Sequence, residues 1–146
     1  MAAPAGPGNG GWVAVAPADH VAVAAREGLF RCSHGDRRAL ARPRRGDRFV
    51  YYAPREGVDA ATPPVQAFVA LGEILDDAPH PQVMPSGFEA MVRSARYTPV
   101  GRAPVRPMLP GLGFVKDPAH WGVHFRRGLF SVDAADFARI EAALHG

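Results

Sequence analysis

The sequence predicts an α+β fold on three observations. Six or so strand candidates are spread along the chain, helical periodicity is confined to one early and one closing segment, and the strands do not alternate regularly with helices as a parallel sheet requires. A small curved sheet or barrel with short helices against it is the natural outcome. At 146 residues, 47% hydrophobic, the chain accommodates one domain with a core that needs neither metal nor disulfide.

In chain order, residues 1–10 (MAAPAGPGNG) carry no large apolar side chain inside the segment and are predicted to be a disordered tail, with one domain over 11–146. Trp12 to Ala16 reads as a buried strand ended by Pro17. Asp19 to Glu27 places Val21, Ala24 and Ala25 on one helical face, and Gly28 stands where helices stop. Leu29 to Ser33 is predicted extended and His34 to Asp36 a turn; a second turn, Arg44 to Asp47, feeds the aromatic, β-branched strand Arg48 to Ala53. Val65 to Leu75 is an apolar strand in which Gly72 suggests a bulge or corner. Asp77 to Phe88, with three prolines, reads as loop, Val92 to Val100 as strand, and Pro104 to Leu112 as at most a helical turn or two. Trp121 to Phe125 and Gly128 to Val132 are predicted strand pieces, and Asp133 caps a closing helix with Phe137, Ile140, Ala143 and Leu144 on one face.

The lone Cys32 cannot bridge within the chain, no apolar run approaches the roughly 20 residues of a membrane helix, and Met1 to Gly11 lacks the pattern of a secretion signal. A cytoplasmic protein with no membrane partner is expected. The charge pattern carries more. Sixteen arginines stand against one lysine, and Arg37, Arg38, Arg42, Arg44, Arg45 and Arg48 surround a single acid, Asp47. Arg93, Arg96, Arg102, Arg106 and Lys116 lie in a stretch without any acid. Such blocks either keep a surface solvated or meet a polyanion, for which the planar guanidinium fork suits phosphate.

Residue chemistry gives little support to catalysis. His120 and His124, if on a strand, stand about 13 Å apart along the chain and cannot share an ion. Cys32 and His34 alone make no metal site, Gly111 and Gly113 lack the strand-then-helix setting of a dinucleotide loop, and no GxSxG elbow occurs. No cofactor is called for.

The ordered series Trp12 to Ala16, Asp19-His20-Val21, Gly28-Leu29-Phe30, Ser33-His34-Gly35, Arg45-Gly46-Asp47 and Val50 to Pro54 resembles the start of EVE domain proteins. Gln66-Ala67-Phe68 with Leu71-Gly72, Ala103 to Pro107, and Trp121-Gly122 through Arg126 to Phe130 and on to Asp136-Phe137 continue the match in order. The resemblance implies a PUA-like bent β-barrel of about five to six strands flanked by short helices, related to YTH readers of methylated adenine. It also implies a pocket for a flipped or unpaired, modified nucleobase in DNA or RNA. By carry-over the base pocket comprises Trp12, Phe30, Cys32, Ser33, His34, Tyr52, Pro54 and Trp121. Tyr51 and Tyr52 face opposite ways on a regular strand, and Tyr52 is the one assigned. Arg37, Arg38, Arg44, Arg45 and Arg126 are the phosphate contacts; Asp36 stands where relatives carry a lysine, a place Arg37 and Arg38 could fill. The alternatives are a PUA-like hydrolase of modified nucleosides, for which Lys116 or Glu73 would have to reach the pocket, and an interaction module that binds no base. A monomer is expected.

Overall fold

The computed structural model describes residues 10–32 and 36–146; the predicted disordered tail, all but Gly10, lies outside the described residues. Eight strands occur among them: β1 (Gly11–Val15), β2 (Leu29–Phe30), β3 (Arg48–Arg55), β4 (Pro64–Ile74), β5 (His80–Val83), β6 (Glu89–Thr98), β7 (Ala103–Pro104) and β8 (Leu129–Val132). The helices are α1 (Ala18–Glu27), α2 (Arg37–Leu40) and α3 (Ala134–His145), with 3₁₀ segments at Arg106–Gly111 and Pro118–Arg127. The strand order is β2-β6-β4-β3-β1-β8, with β5 on β6 and β7 on β4. β1 runs parallel to β3 and antiparallel to β8.

This mixed architecture is consistent with a PUA-like fold, and the bent barrel expected is here an open sheet that does not close on itself. Its two end strands, β2 and β8, pair with β6 and β1 and not with each other.

Both faces of the sheet are buried, which is why its strands read as continuous apolar runs. On one face Val13, Val50, Tyr52, Phe68 and Leu71 meet the 3₁₀ segments and α3 through Leu109, Phe125, Phe137, Ile140 and Leu144. On the other, Trp12, Ala14, Phe49, Tyr51 and Ile74 pack on Val21 of α1, Phe30 of β2 and Leu40 of α2. The period-2 alternation thus sends Tyr51 and Tyr52 into different cores.

Local chemistry explains the element ends. Gly28 closes α1 at φ 70°, in the left-handed region glycine tolerates. Asp133 caps α3 by accepting a hydrogen bond from the Asp136 amide at 2.9 Å. Asp36 caps α2, accepting from the Arg38 amide at 2.9 Å. Two expectations are corrected. The segment Trp121 to Phe125 is 3₁₀-helical: the Asp117 carboxylate takes the Ala119 amide at 3.0 Å and starts a first turn at Pro118, and beyond a break at His120 (φ −123°, ψ 35°) a second stretch carries Trp121 to Phe125. The proline-containing stretch Asp77 to Phe88 holds β5, an edge strand where Pro81 needs no ladder donor.

Candidate functional site

Two neighbouring cavities open where the end of β1, β3 and the second 3₁₀ segment meet, and Val15, Pro54, Phe125 and Arg126 line both. The larger, about 600 Å³, is bounded by the β1–α1 turn, α1, the Arg31-Cys32 segment, Tyr51, Arg55 and Arg126 to Gly128. The smaller, about 350 Å³, is bounded by Tyr52, Gln66, Trp121 and Gly122 together with the shared wall.

The smaller cavity is aromatic. Tyr52 and Phe125 stack with centroids 4.0 Å apart and planes at 22°, while Trp121 stands nearly perpendicular to both, at 79° and 73°. The indole is half-buried, and the Arg106 guanidinium lies over it at 5.4 Å. Burial pushes the Tyr52 phenol up to about 12, against the lowering influence of Arg106. It is therefore a neutral hydroxyl, a donor as well as an acceptor, throughout the physiological range. Gln66 sits at φ 48°, unusual for a residue other than glycine, at an irregularity in the β3–β4 register. Its side-chain oxygen accepts from Arg106 Nε at 3.2 Å.

The larger cavity has arginines among largely apolar lining residues. Arg31, Arg55, Arg126 and Arg127 line it with His20, and no carboxylate is among its lining residues. Tyr51 fixes its floor: the phenol accepts from the Arg31 amide at 2.9 Å and donates to the Arg31 carbonyl, tying the loop after β2 to β3. Burial raises the Tyr51 phenol well above its ordinary value, so this donor is permanent.

The carried-over pocket residues separate into three places. Cys32 and Pro54 line the larger cavity, and Tyr52, Pro54 and Trp121 the smaller. Trp12 and Phe30 are corrected to core positions. Trp12 is 2% exposed, donates from Nε1 to buried Asp47 at 2.9 Å and is covered by Arg42; Phe30 is fully buried against Phe49. Ser33 and His34 lie outside the described residues. Of the two tyrosines, both line a cavity, one on each face of β3.

Among the phosphate candidates, Arg37, Arg38 and Arg44 are exposed on α2 and the turn after it, and Arg126 lies on the rim of both cavities. Arg45 is exposed too, and its guanidinium makes two hydrogen bonds to Asp77, at 3.0 and 2.9 Å, and one to the Leu75 carbonyl. Lys116 and Glu73 line neither cavity, and Glu73 pairs with Arg96 at 3.1 Å. Among the described residues no three His, Cys, Asp or Glu side chains gather as a metal site. His120 bonds instead to Asp117, and the His124 ring packs on Phe114.

Arg31, Arg55, Gln66 and Arg106 were not assigned to the site from sequence. Gln66 and Arg106 do fall within matched motifs, but only the left-handed backbone at Gln66 and the fold of Arg106 over Trp121 bring them to the cavity.

Fold and site together define a small mixed α/β domain with an aromatic cavity beside an arginine-lined one. The chain belongs to the EVE domain family, whose model matches residues 11–143. It is 33% identical over 133 residues to a UPF0310 protein of Mycobacterium avium, covering 91% of this chain and 96% of the relative. It is 29% identical to the UPF0310 protein YdcG of Bacillus subtilis, covering 91% and 90%. Among solved structures, the NMR structure of Rpa0253 from Rhodopseudomonas palustris superposes with a TM-score of 0.53 at 15% identity, covering 92% of each chain, which is a likeness of fold. No helix among the described residues is long and apolar enough to cross a membrane.

Proposed function

We propose that the protein is a nucleic-acid-binding module that takes one unpaired or flipped base, modified or plain, into its aromatic cavity. The observation that carries this reading is the half-buried Trp121 beside the neutral Tyr52 hydroxyl and the Gln66 amide in one concave site. A base stacked on the indole gains about 1–3 kcal/mol, and the two polar groups are of the kind that read a base edge. Membership of the EVE domain family supports the same reading. Exposed Arg37, Arg38, Arg44 and Arg126 supply sequence-independent contacts to the strand. Extraction of a base costs a few kcal/mol, which favours single-stranded or weakened sites.

The test is binding of single-stranded DNA and RNA oligonucleotides carrying a panel of base modifications. Trp121→Ala is expected to weaken binding about 5- to 100-fold with an unchanged circular dichroism spectrum, because its ring is only half-buried. Wild type and Trp121→Ala binding every oligonucleotide with the same affinity would overturn the proposal.

A further inference from the structure

We propose that the outward side of the second 3₁₀ segment, Pro118–Arg127, is the track on which a single nucleic-acid strand lays its phosphates as it passes the cavity mouths. The proposal rests on the nucleic-acid reading above, and on features of its own. Between Glu89 and Asp133 the only acid in the chain is Asp117, and its carboxylate is taken by the Ala119 amide and the His120 ring. Arg106, Lys116, Arg126 and Arg127 are exposed and form no ion pair among the described residues, whereas Arg45, Arg48, Arg96 and Arg102 each hold an acid.

The backbone gathers these charges on one side. A 3₁₀-helix has three residues per turn, so side chains three apart eclipse and the segment has three edges. Beyond the break at His120, Phe125 is the buried residue and marks the inner edge with Gly122. Val123 and Arg126 therefore form the outer edge; both are exposed, Val123 to 52%. Trp121, His124 and Arg127 form the third edge, two half-buried rings leading to an exposed guanidinium. Burial and the neighbouring charge of Arg127 lower the His124 imidazole below its ordinary 6.5, so at neutral pH the ring is an uncharged flat surface. Ring faces, not acids, hold the arginines: Arg106 lies over Trp121 at 5.4 Å and Arg127 over Phe130 at 5.6 Å. A guanidinium held that way keeps a charge that no acid compensates. Interleaved cations and rings suit a nucleic-acid strand, which offers phosphates and base faces in turn, better than an acidic peptide, which offers charge alone. From Trp121 to Arg127 the segment runs about 12 Å. Trp121 and Gly122 line the smaller cavity, Gly128 the larger and Arg126 both, so the track joins the two mouths. Helix α2, with Arg37 and Arg38, packs on the opposite face of the sheet and forms a separate basic group.

The experiment titrates a fluorescein-labelled oligothymidylate of about twelve residues with the full chain at several salt concentrations, following anisotropy. Lys116→Gln combined with Arg126→Gln and Arg127→Gln is expected to flatten the logarithmic salt slope by about 2, at about 0.7 per lost contact. Arg45→Gln combined with Arg96→Gln and Arg102→Gln removes the same charge from acid-paired positions and should leave the slope at the wild-type value. Trp121→Ala should lower affinity with the slope unchanged, since the indole carries no charge. An unchanged slope in the first triple variant, or equal flattening in both, would overturn the track. So would polyglutamate of the same length binding as tightly as the oligonucleotide. A flattened slope in the first triple variant, with Trp121→Ala binding as the wild type does, would support the track and refute the base reading. Should the first triple variant fail to fold, wild-type protein labelled with 15N decides: the oligonucleotide must shift the backbone amides from Trp121 to Gly128, and unmoved amides there overturn the proposal.

Discussion

The two tryptophans show how one residue type takes opposite roles. Trp12 is sealed in the core with its N–H on Asp47, whereas Trp121 presents part of its ring to a cavity. Arg93 is a third outcome: it sits in an arginine-rich stretch, yet it is fully buried. Its guanidinium donates to Asp76 Oδ1 at 2.7 Å and to the carbonyls of Leu40, Pro43 and Asp76. Asp76 also accepts from the Ser94 amide at 2.9 Å and lies 3.2 Å from His80. Burial alone would raise the Asp76 carboxyl, but the Ser94 amide and Arg93 outweigh it and hold it below its ordinary 3.8. A carboxyl lowered in the folded state contributes stability that is present above the unfolded pKa and lost as pH falls through the lower folded one. Asp76→Asn is therefore expected to cost about 2–4 kcal/mol near neutral pH, since it strips a buried guanidinium of its counter-charge. Below pH 3.8 its urea-unfolding free energy should converge toward that of the wild type. A constant difference from neutral to acid would show that Asp76 acts by packing alone.

At the scale of elements, β4 connects sequence to site. Its first ladder irregularity, between Tyr51 and Tyr52, skips Val69, and its second leaves Gln66 at the edge of the aromatic cavity. Gly72, predicted to be the bulge, is instead in register with both Phe49 and Tyr97. Its role is close approach, for a Cβ there would lie 2.4 Å from the Phe49 ring and 2.8 Å from the Arg96 carbonyl oxygen. Because the second contact is backbone, Gly72→Ala is expected to destabilise by about 1–3 kcal/mol in thermal or urea unfolding, and a neutral effect would refute that packing. The contrast marks what was legible in the chain. Strands β1, β3, β4 and β6, helix α1 with its glycine stop and the Asp133-capped α3 follow from periodicity and caps. The second 3₁₀ segment was not legible, because Trp, Val and Phe favour strands locally and a backbone break at His120 separates them from the turn that Asp117 and Pro118 start. For the site, the aromatic and arginine types were legible, but their allotment to one cavity or another was not. That depends on which face of β3 each tyrosine takes and on long-range contacts such as Arg106 over Trp121.

For the whole molecule, a net charge of +3 understates the cationic surface available to a partner. Arg45, Arg48, Arg96 and Arg102 are spent on Asp77, Glu141, Glu73 and Glu56. Arg37 and Arg38 on α2 are exposed and form no ion pair among the described residues. If these two meet phosphates, each releases condensed counterions from a single strand, so affinity falls with salt at a logarithmic slope of about 0.7 per contact. The double change Arg37→Gln with Arg38→Gln is therefore expected to flatten that slope by about 1.4 in anisotropy titrations of a single-stranded oligonucleotide. It should leave any preference between modified and plain bases intact, since backbone contacts carry no base information. Arg45→Gln serves as the internal control, for its guanidinium is already engaged by Asp77 and the slope should stay at the wild-type value. An unchanged slope in the double variant would remove α2 from the interface and shift the electrostatic grip to the arginines of the cavity rim. A flattened slope for Arg45→Gln would show that strand binding breaks the Asp77 pair, which is exposed and weak enough to be exchanged.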